Sequence, residues 1–382
     1  MAADGLPPIG LYVHIPFCEV KCTYCHFAIS PGQALDERQE RYLLALLTEI
    51  GGAAPAPADS LYFGGGTPSL LAIPRLARVF DALGQRFALD PGAEIGLEAN
   101  PRDLDLGGYR TLREIGVNRL SLGIQSFDDA VLSEMGRRHS VADSRQAFAD
   151  ARRAGFENVS VDLILGWPGE TREHWRQSLQ PTLTLAPEHV SLYLLEVEGK
   201  TVLSHRQRQG VLALPADDLV ADLYSETVEA LGQAGLSRYE IPNFARPGFE
   251  SRHNRKYWDD AAFVGLGMSA HGFLDGVRYW NRETFGGYCS AVEQQGAGAA
   301  RAGERRLSRE ERVGEALFTG LRRTAGVDLG RFREQYAVDP LDTYREPLRD
   351  VFAAGLLEVR DGALRLTERG VLLSNEVFRA FV

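Results

Sequence analysis

Six short runs rich in β-forming residues constrain this chain more than any other feature. They are GLYVHI (10–15), SLYFG (60–64), EIGLEA (94–99), RLSLGI (119–124), VSVDLIL (159–165) and HVSLYLLE (189–196). Between them lie segments of helical periodicity such as DERQERYLLALLTEI, PRLARVFDALG, YRTLREIG, VADSRQAFADARRAG and TREHWRQSLQPTL. Each is long enough to carry the chain back over a sheet, and near-continuous apolar runs suit strands buried on both faces. The expected class is therefore α/β, with a partial (β/α) barrel over residues 1–200.

Two units follow it. Residues 201–300 hold the helix ADDLVADLYSETVEALGQAG, the runs YEIPNFA and FVGLGMSAHGF and the polar segment HNRKYW, and are expected to complete the barrel. The Gly- and Ala-rich EQQGAGAARAG reads as a linker. Residues 301–382 predict a small helical domain of winged-helix character, with the amphipathic SREERVGEALFTGLRR, two short strands turned at Asp361-Gly362, and a helical tail SNEVFRAFV.

Composition removes several function classes. Across 382 residues, 42 Lys and Arg stand against 52 Asp and Glu, a formal charge of -10. Broad binding of nucleic acid or anionic membrane needs the opposite sign. No apolar run approaches the roughly 20 residues that span a bilayer, and MAADGLPPIG has neither a basic start nor an apolar stretch of signal-peptide length. No transmembrane segment and a cytoplasmic location are expected. Three of the four cysteines, Cys18, Cys22 and Cys25, fall within eight residues, and Cys289 lies far away. In a reducing compartment such clustering points to metal ligands rather than disulfides.

The C-x3-C-x2-C spacing follows the first predicted strand. Cysteine thiolates hold iron-sulfur clusters, and three ligands on a [4Fe-4S] cluster leave one iron open to a small molecule. A zinc site with His26 as fourth ligand uses the same residues differently. Cys289 reads as a buried, inert thiol, and His14 as a core or supporting residue of the first strand. The next motif, GGGTP (Gly64 to Pro68), lacks the Lys of a phosphate loop. Its Gly65 and Gly66 let backbone approach a ligand and Thr67 adds a hydroxyl, although a plain tight turn fits equally well.

Glu98, Gln125, Asp162 and Glu196 recur near the carboxyl ends of successive runs, where barrel enzymes place their active sites. In HNRKYW, the His253 imidazole could ligate haem iron, Tyr257 and Trp258 could stack on a porphyrin, and Arg255 or Lys256 could pair with propionates. A structural segment with a hydrogen-bonded histidine is the other reading.

The three-cysteine motif resembles the signature of the radical S-adenosylmethionine superfamily, and the likeness extends along nearly the whole chain. In that superfamily the open iron binds the amino and carboxylate groups of S-adenosylmethionine. Resemblance to its coproporphyrinogen dehydrogenase branch implies that Tyr12, Tyr24, Gly65, Gly66, Thr67 and Glu98 surround this molecule. It also implies that Gln125, Arg137 and Asp162 surround a second one, with Glu196 and His271 standing where that second site has apolar residues. H-N-x-x-Y-W, set between YEIPNFARPG and FVGLGMSAHG, resembles the hallmark of the HemW family of haem chaperones. That resemblance implies haem as a further ligand, a haem-accepting apoprotein as partner, and an electron donor if radical chemistry occurs.

Two other activities share this architecture: oxygen-independent coproporphyrinogen III dehydrogenase and a radical methyltransferase. The dehydrogenase resemblance calls for a further Cys where this chain has Phe27, for a longer stretch before the cysteine loop than the seventeen residues here, and for no HNRKYW. All three differences favour the chaperone. One departure concerns the chaperones too, since His26 stands where they usually have Asp.

Overall fold

The computed structural model describes residues 7–32, 35–197 and 199–381. Strand β1 (Ile9–Ile15) leads into the cysteine loop, whose ends are β2 (Phe17–Cys18) and β3 (Ser30–Pro31). Helix α1 (Leu35–Gly52) returns the chain to β4 (Pro57–Gly65). There follow α2 (Ile73–Arg86), β5 (Ala88–Ala99), α3 (Leu106–Glu114), β6 (Arg119–Gln125), α4 (Asp129–Met135), α5 (Val141–Arg153), β7 (Val159–Leu165), α6 (Arg172–Leu185) and β8 (His189–Leu194). All six predicted runs are strands, and from β1 through β4, β5, β6 and β7 to β8 each pairs with the next in parallel. Local chemistry sets the helix starts: Ser140 and Asp143 form a capping box at α5, an arrangement whose cap side chain is worth about 1 kcal/mol.

Beyond β8 come α7 (Val202–Arg208), α8 (Asp217–Gln233), β9 (Ser237–Arg238), β10 (Asn243–Ala245), α9 (Arg252–Trp258), β11 (Phe263–Leu266), β12 (His271–Leu274), β13 (Val277–Asn281), α10 (Phe285–Gln295) and β14 (Arg301–Arg306). The twelve-stranded sheet runs β14-β13-β12-β11-β1-β4-β5-β6-β7-β8-β10-β9. It has two free ends, so the barrel is partial as expected. HNRKYW is helical: it forms α9, with the Ser251 side chain accepting from the Asn254 amide as N-cap.

The expected linker is corrected by the structure. EQQGAGAARAG spans the end of α10, a 3-10 turn at Ala297–Ala300 and the start of β14. Its small residues serve close packing, because a methyl group on Gly52 of α1 would stand 2.3 Å from the Ala297 Cβ. The sheet also reaches Arg306, into the segment expected to open the terminal domain. That domain has its own core around Val313, Leu317, Phe332 and Leu364. It combines α11 (Arg309–Gly320) with a sheet ordered β15-β17-β16, from β15 (Val327–Asp328), β16 (Leu357–Arg360) and β17 (Ala363–Leu366). Asp361 and Gly362, with φ of 52° and 76°, make the predicted turn.

The barrel strands alternate more than their apolarity suggested. Side chains two apart share a face, and Leu11, Val13, Leu61, Phe63, Leu120, Leu122, Val159 and Val161 belong to the apolar core. Their neighbours in sequence, including Ser60, Arg119, Ser121, Ser160, Asp162, His189 and Ser191, are buried and polar. These meet inside: Ser121 and Ser160 donate to Asp162 at 2.9 and 3.2 Å, Ser160 lies 2.8 Å from His189, and Arg119 pairs with Glu94 at 3.4 Å. A buried polar group needs such a partner to avoid its desolvation cost.

Candidate functional site

The cysteine loop is held at both ends and from two sides. β2 pairs with β3, and the Ser30 amide donates to Pro16 O at 2.7 Å. The Thr23 amide donates to Met135 O at the end of α4, and Thr23 O accepts from the Leu203 amide at the start of α7. Cys18, Cys22 and Cys25 are free, partly exposed thiols. Burial pushes Cys18 up to about 11, opposed by the Thr67 hydroxyl 3.4 Å away and reinforced by Cys25 and Cys22. The Cys25 amide donates to Cys22 O at 3.2 Å, and the Arg137 guanidinium lies 3.7 Å from the Cys22 sulfur. Three neighbouring reduced thiols beside a cation form a donor set that fits an iron-sulfur cluster, whose ligands sit on separate irons. His26, the fourth ligand of the zinc reading, is exposed and packs on Phe27 at 5.0 Å. Among the described residues, no group of three or more His, Cys, Asp or Glu is gathered to hold a single metal ion.

The glycine segment lies against this loop. Gly65 has φ 113°, and a Cβ there would stand 2.5 Å from the His14 ring; one on Gly66 would stand 2.7 Å from the Phe17 carbonyl oxygen. Glycine therefore lets the turn settle onto the start of the cysteine loop. Thr67 Oγ1 meets Cys18 and the Asn100 amide nitrogen. Glu98 accepts from the Gly65 amide at 3.2 Å and from the Tyr62 hydroxyl at 2.9 Å. Burial pushes its carboxyl up to about 7, with Asp162 acting in the same direction. His14 joins the two motifs, with its Nδ1 3.0 Å from the Tyr12 hydroxyl and its Nε2 2.9 Å from Ala28 O. Tyr24 packs edge-on against Trp167. Tyr24 thus stands on the loop, Tyr12 within β1, Glu98 near the end of β5, and Gly65, Gly66 and Thr67 at and just after the end of β4.

The other strand-end residues divide. Gln125 ends β6 with φ 69°, where the register with β7 slips, and such strain in a residue other than glycine collects at functional sites. Arg137 is turned to the cysteine loop, donating to Gly123 O at 2.6 Å as well as to Cys22 and Asn100. Asp162 lies deeper, among the serines of the interior. Glu196 is exposed after β8, and His271 is exposed on β12. Sequence reasoning passed over the interior set of Ser60, Glu94, Arg119, Ser160 and His189. The period of two within RLSLGI and VSVDLIL was the signal that could have found it.

Helix α9 places the second motif. His253 is 1% exposed, with Nδ1 3.2 Å from Ser60 Oγ and Nε2 2.7 Å from the Tyr257 hydroxyl. Its ring stacks on Tyr62 at 5.4 Å and lies 6.4 Å from Tyr12. Burial pushes it down to about 3, so it is neutral. Its amide donates to Glu94. Lys256 pairs with Asp59 at 2.8 Å and donates to Pro8 O, which corrects its expected role toward propionates: the ammonium is already bound within the chain. Arg255 stays exposed. Tyr257 and Trp258 line a cavity of about 340 Å³ together with Phe263, Phe273, Phe318 and Arg278. Cys289 is fully buried in α10, as expected.

The profile of the radical SAM superfamily matches residues 12–180, and that of the HemN C-terminal domain matches residues 307–373. Over 376 residues the chain is 37% identical to the heme chaperone HemW of Bacillus subtilis, covering 97% of this chain and 98% of that one. The chain belongs to the HemW family of radical SAM proteins. A further relative is the radical S-adenosyl methionine domain-containing protein 1, mitochondrial, of Mus musculus, 35% identical over 377 residues and covering 95% of this chain and 84% of that one. Among solved structures, the radical SAM enzyme coproporphyrinogen III oxidase, HemN, of Escherichia coli superposes with a TM-score of 0.85 at 26% identity, covering 98% of this chain and 90% of that one. The HemW family's superfamily brings a [4Fe-4S] cluster and S-adenosylmethionine as cofactors. Among the described residues no helix is long and apolar enough to cross a membrane.

Proposed function

We propose that the chain is a haem chaperone, binding haem and passing it to an acceptor apoprotein, with a [4Fe-4S] cluster on Cys18, Cys22 and Cys25. The carrying observation is the HNRKYW helix, which presents Tyr257 and Trp258 to an aromatic-walled cavity in a chain matched end to end by heme chaperones. The cluster, when bound, supplies an open iron and one-electron chemistry. The residues of the chain do the rest. The β2–β3 pair fixes the loop, Arg137 offsets thiolate charge beside Cys22, Thr67 supports Cys18, and Glu98 offers a carboxylate to the methionyl ammonium. Arg137 serves the cluster rather than a second S-adenosylmethionine, since its partners are Cys22, Asn100 and Gly123. Tyr257 and Trp258 would hold haem against their rings, with Arg255 available to a propionate. Ligation by His253 requires its ring to leave Tyr257. The cytoplasm suits the free thiols, an electron donor would serve cluster reduction, and the charge of -10 gives no support to nucleic acid as a partner.

One observation favours a second reading: the superposition on coproporphyrinogen III oxidase. Against it, Phe27 stands 60% exposed where that activity calls for a further Cys. The radical methyltransferase has no observation in its favour. Anaerobic reconstitution, followed by haem titration and by incubation with coproporphyrinogen III and a reductant, separates the readings. The expected result is about one haem per chain with a Soret band, and no consumption of coproporphyrinogen. Consumption without haem binding overturns the chaperone.

A further inference from the structure

One strand reaches both motifs. On β4, Ser60, Tyr62 and Gly64 share a face because strand side chains alternate. Ser60 binds the Nδ1 of His253, the Tyr62 ring lies flat on the His253 ring at 5.4 Å and 13°, and the Tyr62 hydroxyl donates to Glu98 at 2.9 Å. The neighbouring strand makes room for that ring, since a Cβ on Gly96 would stand 2.8 Å from Tyr62 Cδ2. Tyr62 was singled out by no motif, yet it both donates to the carboxylate beside the glycine turn and stacks on the histidine of HNRKYW.

We propose that Tyr62 is a positioning residue that couples the S-adenosylmethionine pocket to the motif histidine, so that occupancy of the pocket retains His253 inside the barrel and weakens its hold on haem. The inference rests on the reading above, that S-adenosylmethionine sits at Glu98 and that haem reaches the HNRKYW helix.

The physical chain is short. A methionyl ammonium beside Glu98 holds the carboxyl ionised, and a hydroxyl donating to a carboxylate bonds roughly twice as strongly as to a neutral acceptor. The Tyr62 ring is then fixed as a shelf. On that shelf His253 keeps both of its partners, Ser60 and Tyr257, and its Nε2 is withheld from iron. When the pocket empties, the shelf loosens and the ring is freer to turn out. Linkage makes the effect reciprocal: haem on His253 weakens S-adenosylmethionine by the same factor.

The test uses anaerobically reconstituted full-length protein, the unmodified chain beside Tyr62→Phe and Tyr62→Leu, with thermal unfolding to establish that each is folded. Haem affinity and the Soret band are measured with and without S-adenosylmethionine. In the unmodified protein, S-adenosylmethionine should weaken haem binding about fivefold or more, the lower end of ordinary coupling. Tyr62→Phe keeps the shelf but loses the bond to Glu98, and should bind haem while losing the coupling. Tyr62→Leu should shift the Soret band even without S-adenosylmethionine. A readout independent of haem is the carbethoxylation of His253 by diethyl pyrocarbonate, followed by mass spectrometry. S-adenosylmethionine should slow it in the unmodified protein and not in Tyr62→Phe. Haem binding that ignores S-adenosylmethionine, or coupling of equal size in Tyr62→Phe, overturns the role of Tyr62 and leaves the chaperone standing. Failure of the unmodified protein to bind haem, with His253 carbethoxylation also indifferent to S-adenosylmethionine, overturns both.

Discussion

The cysteine loop and the HNRKYW helix are the two segments in which the sequence concentrates chemistry, and the fold treats them in opposite ways. The loop stands at the carboxyl ends of the strands with its three thiols partly exposed, clamped by β2, β3, α4 and α7. It is ready for a ligand as it stands. The helix turns its histidine into the barrel, where Ser60, Tyr257, Tyr62 and Glu94 surround it. Its aromatic end meets a cavity. The loop thiols are thus open to a ligand, whereas both ring nitrogens of His253 already have partners in Ser60 and Tyr257.

Breaking the first region should produce the largest effect. Substituting Ser for Cys18, Cys22 or Cys25 should each abolish the brown colour and the expected content of about four iron and four sulfide per chain. Cys289→Ser, in the core of α10, should leave that content unchanged. Iron and sulfide retained in all three loop variants would remove the loop from the site. For the second region the sharpest change is Arg119→Ala. Arg119 and Glu94 are both buried, and Glu94 also accepts from Ser251 and the His253 amide at the start of α9. Removing the guanidinium leaves an unpaired carboxylate inside, at an expected cost of about 3–5 kcal/mol. Chemical denaturation of the variant should show it, together with faster hydrogen exchange in α9. A loss under about 1 kcal/mol would mean that the helix is held by other contacts.

The same contrast explains what could be read from the chain beforehand. All six barrel strands were legible because their β-branched and aromatic runs are local signals, and the cysteine spacing is local too. Helix α9 was not: RHNRKYW has no apolar period and follows Pro247-Gly248, which signals a loop. What makes it a helix is the Ser251 cap and tertiary anchoring by Glu94 and Asp59, residues far away in sequence. The His253–Ser60 bond spans 193 positions. Arg137 was legible only by resemblance, and the structure gives it a cysteine-loop neighbour that no spacing indicates. The linker was misjudged because small residues look alike whether they serve mobility or the close approach of α1.

The smallest expected effect tests the boundary between the two regions, at Glu98. Its carboxyl is raised to about 7, chiefly by burial, from an ordinary value near 4.5. The folded protein therefore holds a proton there between those values that the unfolded chain has released, and stability falls as pH rises through that window because the unfolded chain ionises while the folded site stays protonated. Glu98→Gln cannot ionise, so relative to the unmodified protein it should gain stability from pH 4.5 to 7 and level off above 7. At 1.36 kcal/mol per pKa unit, reduced because the side chain is partly exposed, the gain is about 1–2 kcal/mol. Glu170 and Glu240, also raised to about 7, contribute to both proteins and cancel in the difference. The measurement is the difference in Tm between the two proteins, without S-adenosylmethionine, across pH 5 to 8. S-adenosylmethionine affinity should rise through pH 7 in the unmodified protein alone, since only the ionised carboxylate attracts the ammonium. A flat difference in Tm would show that Glu98 is ionised throughout, and with it that Tyr62 meets a carboxylate whether or not the pocket is filled.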